Sequence, residues 1–108
     1  MEREEVAFSK ETGRLTARIL CELDHHTAKR VRERIDTELF IEKPEVLELD
    51  FSEVRFMDSS GLALILGRAE CCAVVGARMH LLGLSPTLMK LVKLGGIEKI
   101  KNLTVSKG

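Results

Sequence analysis

The chain has no tryptophan and no tyrosine, and only four phenylalanines among its 108 residues. A surface that stacks nucleic-acid bases would have to be built from those four rings alone. An excess of one charge is also lacking: 17 basic and 17 acidic side chains leave a formal net charge of zero. That disfavours binding to nucleic acid through a basic field. Cysteine is scarce and odd in number, with Cys21 apart and Cys71-Cys72 adjacent. Neither a disulfide scaffold nor a C-x-x-C or Cys/His zinc spacing follows, and this usage fits a reducing compartment. No apolar run approaches the roughly 18 residues that span a membrane. The start, Met-Glu-Arg-Glu-Glu, lacks the basic-then-apolar layout of a signal peptide. The expectation is a cytoplasmic protein with no membrane or nucleic-acid partner. No Gly-x-x-x-x-Gly-Lys-Ser/Thr or Gly-x-Gly-x-x-Gly occurs, and Gly95-Gly96 falls at a helix end, so no known nucleotide loop is present.

What is there is globular. Hydrophobic residues make up 44 % and charged residues 31 %, enough for one core in one domain over residues 1–108. Val6 and Phe8 mark a short strand at 4–9, Glu11-Thr12-Gly13 supplies a turn, and Leu15, Ala17, Ile19 and Cys21 alternate as a second strand. The period then changes. Ala28, Val31, Ile35 and Leu39 recur at three and four residues, which predicts an amphipathic helix with Asp24 capping its start and Pro44 closing the connection after it. Val46, Leu47, Leu49 and Phe51 form the most apolar strand, placed centrally. A helical segment from about Ser60 to Val75 ends at Gly76, and Met79, Leu81 and Leu82 make the next strand. Ser85-Pro86 opens a third helix, with Leu88, Leu91 and Val92 inward and Gly95-Gly96 as its stop. A short last strand falls within 99–105. The order predicts an α/β fold: a mixed sheet of four to five strands, an N-terminal hairpin and about three helices packed on it.

The segment Phe56-Met57-Asp58-Ser59-Ser60-Gly61-Leu62 carries the most chemical information. A serine at a strand-to-helix junction sits at the positive end of the helix dipole, beside N–H groups that have no intrahelical partner. A phosphate added there meets ready donors. Read without that chemistry, Ser59 or Ser60 is an ordinary N-cap. The helix that follows is apolar nearly all round, so it is either buried on every side or exposes an apolar strip. The second alternative leaves Ala63, Leu64 and Gly67 partly exposed near Ser59 as a partner surface. Other constellations carry less. His25 and His26 project about 100° apart on a helix and cannot form an i, i+4 metal pair. Cys71-Cys72 reads as packed thiols, and His80 has no nucleophile elbow near it in sequence.

These residues resemble a known family. Glu22-Leu23-Asp24-His25-His26-Thr27-Ala28, followed some thirty residues on by Phe56 to Leu62 and then Ile65-Leu66-Gly67-Arg68, is similar to the anti-sigma-factor antagonists of the STAS class, above all the sporulation type. The resemblance covers almost the whole chain. It implies a STAS-like mixed sheet and a binding switch, not an enzyme. The serine directly after the aspartate, Ser59, would be phosphorylated by the partner, an anti-sigma factor that is also a serine kinase. The unphosphorylated form would bind that partner and free a sigma factor, and a serine phosphatase would reset the switch. Asp24 and Arg68 would lie on the partner-binding face with Asp58, Ser59, Ser60, Gly61, Ala63, Leu64 and Gly67. ATP and Mg²⁺ would belong to the kinase, leaving this chain without a cofactor or metal and a monomer when free. The sequence departs from the family pattern in three places: Cys21 and Ala63 stand where glycine is usual, and it ends at Gly108, before a last helix that many members carry. Two other classes compete. A small serine hydrolase would need His25, His26 or His80 within about 3 Å of Ser59 or Ser60. A constitutive STAS-type ligand-binding module would need an open apolar pocket.

Overall fold

The computed structural model describes residues 4–106; the expectations about Met1 to Arg3 and about Gly108 lie outside them. Two strands, β1 (Val6–Glu11) and β2 (Arg14–Ile19), form the expected hairpin, with Gly13 at φ +77° in its turn. Then follow α1 (Thr27–Glu42), β3 (Val46–Asp50), α2 (Ser59–Val74), β4 (Arg78–Leu82) and α3 (Pro86–Leu94). A short 3-10 turn, Ile97–Lys99, leads to β5 (Leu103–Val105). The strands lie side by side in chain order; β1 and β2 are antiparallel and every later pair is parallel. Three parallel crossovers advancing in one direction, each right-handed as such connections are, put all three helices on one face of the sheet.

Strand register explains which face that is. Leu15, Leu47, Met79 and Leu103 stand in one row across the sheet, and Ala17, Leu49 and Leu81 in the next. All seven are buried. Against them lie the four periodic residues of α1, Ala28, Val31, Ile35 and Leu39, all buried as the spacing predicts. Over the hairpin α1 is held at the rim: Lys10 Nζ lies 2.7 Å from Glu42, Arg30 makes a two-bond fork to Glu5, and Arg34 sits over the Phe8 ring. Such exposed pairs fix geometry more than they stabilise, since solvent and salt screen them.

The opposite face is polar. Thr16, Glu48 and His80 are neighbours in register on β2, β3 and β4. Thr16 donates to Glu48 at 3.0 Å, while His80 contacts Glu48 through Nδ1 at 3.1 Å and Ser106 through Nε2 at 2.9 Å. The ladder satisfies half-buried polar groups that alternate with the core row. No helix among the described residues is long and apolar enough to cross a membrane.

Candidate functional site

The two sequence motifs meet in space. Leu23 N–H donates to the Phe56 carbonyl at 3.0 Å, and Asp58 N–H donates to the Leu23 carbonyl at 3.1 Å. These bonds form an isolated parallel bridge between Leu23 and Met57, both buried. The residue after each lies at a helix start: Asp58 is the N-cap of α2, and Asp24 holds the turn that leads into α1. The starts of α1 and α2 are therefore tied together at one edge of the molecule.

Asp24 caps the turn that leads into α1, three residues ahead of Thr27, while the N-cap position itself, His26, makes no side-chain cap bond. Asp24 Oδ1 accepts from His26 N–H at 2.8 Å and Thr27 N–H at 2.9 Å, and its own N–H donates to Thr27 Oγ1 at 3.0 Å. The Thr27 amide, and after it that of His26, holds the Asp24 carboxyl below the usual carboxylate range.

At α2 the cap is Asp58, not either serine. Asp58 Oδ1 accepts from Ser60 N–H at 2.7 Å, so Ser59 becomes the first helical residue and Ser60 the second. A carboxylate satisfies the free amide and also meets the dipole with a negative charge, which a hydroxyl cannot do. Freed from capping, the Ser59 side chain belongs to an exposed residue, while Ser60 is half-buried. Gly61 is buried, and a Cβ there would stand 2.7 Å from Met57 Sδ. Only glycine lets α2 settle this closely on the bridge.

The exposure expected along α2 needs correcting at two positions. Ala63 is exposed and Gly67 half-exposed, but Leu64 is 3 % exposed and Arg68 5 %. Leu64 turns inward with Ile65 into the core. Arg68 Nε lies 2.8 Å from Asp36 Oδ1 of α1, in charge contact but without hydrogen-bond alignment, and its Nη2 reaches Cys71 Sγ at 3.7 Å. Arg68 Nη1 is buried with no partner. The adjacent cysteines are free, as expected. Burial pushes the Cys72 thiol up to about 11.

Between the starts of α1 and α2 runs an open groove of about 510 Å³. His25 just before α1 and Lys29 and Arg32 on it line one side, and Ser60, Ala63 and Gly67 line it from α2. The amphipathic period of α1 leaves Lys29 and Arg32 on its outer charged face and gives them no role of their own. The missed signal was their spacing of four and seven residues from His25, which aligns all three along one side of the helix. No histidine hydrogen-bonds Ser59 or Ser60 among the described residues; His80 lies on the other face of the sheet with Glu48 and Ser106. The hydrolase alternative thus finds no histidine hydrogen-bonded to either serine among the described residues. Among the described residues no three His, Cys, Asp or Glu side chains gather as a metal site.

The family profile described as STAS domain matches residues 6–107. The chain belongs to the STAS domain family. Within it, this STAS domain is 33 % identical over 96 residues to the anti-sigma F factor antagonist of Paenibacillus polymyxa, covering 89 % of this chain and 82 % of that protein. That likeness puts it among the anti-sigma factor antagonists. Its fold is similar to the anti-sigma factor antagonist SpoIIAA in its unphosphorylated form, with TM-score 0.72 and 30 % identity over 95 % of this chain and 88 % of that one. The phosphorylated form of SpoIIAA, a Bacillus cell fate determinant, gives TM-score 0.71 and 29 % identity over 94 % and 91 %. The five-stranded mixed sheet, hairpin and three helices of this STAS domain are those the sequence predicts.

Proposed function

We propose that this STAS domain acts in the cytoplasm as a phosphorylation-controlled antagonist of an anti-sigma factor. Unphosphorylated, it binds an anti-sigma factor that is also a serine kinase, and so frees a sigma factor for transcription. Ser59 is the phosphoacceptor, a serine phosphatase reverses the modification, and ATP and Mg²⁺ are bound by the kinase. The observation that carries this reading is the exposed Ser59 at the first position of α2, one residue past its Asp58 cap and across the bridge from Asp24. The existence of SpoIIAA in both unphosphorylated and phosphorylated forms supports it.

Asp24, Asp58, Ser59 and Ser60 form the polar part of the contact face, and Ala63 and Gly67 its apolar part. Gly61, Leu64 and Arg68 support that face from beneath, since all three are buried. Phosphorylation adds about −1.5 to −2 charges at pH 7, beside the Asp58 carboxylate. Desolvating that charge against a partner without a matching cation costs several kcal/mol, and each ~1.4 kcal/mol is tenfold in affinity. The free N–H groups of the first helical turn compensate the phosphate locally, so the fold stays as it is.

The test is incubation with an anti-sigma factor kinase and ATP, mapping of the modified residue by mass spectrometry, and measurement of binding before and after. Wild type gains one phosphate at Ser59 and loses binding, while Ser59→Ala gains none and still binds. Full modification of Ser59→Ala would sink the assignment.

A further inference from the structure

We infer that the groove between α1 and α2 receives an acidic segment of the partner protein, whose carboxylates meet Lys29 and Arg32. This rests on the functional reading above, because the groove begins at Ser60, next to the proposed phosphoacceptor. The charge pattern of α1 points the same way. Arg30 is neutralised by Glu5 and Arg34 lies against Glu4. Lys29 and Arg32, both exposed, have no ion pair among the described residues. No carboxylate lines the groove they face. Two uncompensated cations on one side of a helix, with His25 one turn earlier, are arranged for an anionic counterpart.

The floor decides which kind of anion. It is made of the small or apolar residues Ala28, Ala63, Leu64 and Gly67, and a Cβ built on Gly67 meets nothing within 4 Å. A free inorganic anion gains nothing from such a floor, whereas an amphipathic protein segment covers it with its apolar side and turns its carboxylates to the rim. At the floor Arg68, 5 % exposed, keeps Nη1 without a partner. A buried donor of this kind gains from an acceptor brought in by an occupant.

Two measurements test the inference on the full chain. The first is affinity for the anti-sigma factor at several salt concentrations. Lys29→Glu and Arg32→Glu should each weaken binding roughly five- to tenfold, since each turns an attraction into a repulsion. The double variant should show a flatter salt dependence, and Lys101→Glu, outside the groove, should bind as wild type. Unchanged affinity and salt slope in the double variant would overturn the groove while leaving the switch at Ser59 intact. The second measurement needs no anti-sigma factor. An NMR titration with a synthetic peptide alternating Glu and Leu should shift the Ala63 and Gly67 amides in wild type and not in the double variant. If the wild type binds no anti-sigma factor the functional reading fails, and this titration still decides the groove. Shifts produced by pyrophosphate but not by the peptide would mark a small-anion site and refute the inference.

Discussion

The ion pair between Arg68 and Asp36 offers a test of whether Arg68 is a support or a surface contact. The two ends are unequally placed: the Arg68 side chain is 6 % exposed and that of Asp36 31 %. Asp36→Asn keeps the shape and removes the charge, stranding a buried guanidinium whose Nε and Nη1 already lack hydrogen-bond partners. Breaking a fully buried pair in this way costs about 3–5 kcal/mol. Because Asp36 is partly hydrated, we expect about 2–4 kcal/mol here, or roughly 10–20 °C in melting temperature at about 5 °C per kcal/mol for a chain of this size. Arg68→Met does the reverse. Its unbranched side chain fills much of the arginine stem's place, and the orphaned Asp36 carboxylate turns to water, so the loss stays within about 1 kcal/mol. The double variant should recover most of what Asp36→Asn loses, because no buried charge remains. Urea unfolding of the four proteins at pH 7 measures all of this. Equal losses for the two single variants, or a larger loss for Arg68→Met, would refute the asymmetry and with it the supporting role.

Further outcomes follow from the same geometry. Asp24→Asn retains an acceptor for the His26 and Thr27 amides, so the melting temperature at pH 7 should move by no more than about 2 °C while affinity for the anti-sigma factor falls. The Asp24 carboxyl is held below its usual range, so its contribution to stability is present above the ordinary carboxylate pKa and is lost as pH falls through the lowered one. Acid unfolding curves should show that component in wild type and not in Asp24→Asn. Cys72, its thiol raised from 9.0 to about 11, contributes stability below pH 9 that is lost as pH rises toward 11, and at pH 8 iodoacetamide should label it only once urea has unfolded the chain. Gly61→Ala gains about 1 kcal/mol in helix propensity but meets Met57, at an overpacking cost of about 1–3 kcal/mol. It should lower the melting temperature, whereas Gly67→Ala, opening on free space, should raise it.

The legible parts of the fold were those with a period. Alternation in Leu15, Ala17 and Ile19 and the three-and-four spacing of Ala28 to Leu39 each fix one face, and the structure buries those faces. α2 has no such contrast: a helix apolar on nearly every side does not say which residues turn inward. Leu64 is accordingly expected at the surface, and Arg68, expected on the partner-binding face, is drawn inward by Asp36 from 32 positions earlier. The cap at α2 went to the neighbouring residue because Asp and Ser have similar preferences and only the bond from Ser60 N–H separates them. The proximity of the two motifs was available only through the resemblance to a family, since a bridge between residues 23 and 57 leaves no local mark in the sequence.

That bridge also bears on timing. A partner that reads both helix starts finds them already stitched together, with no loop to order at the moment of encounter. Association then proceeds at the pace of collision and charge steering, and little ordering entropy is lost on docking. Under these conditions the binding step keeps up with any change in Ser59. In the switch proposed above, the response time would then pass to the chemistry of the enzymes that add and remove the phosphate.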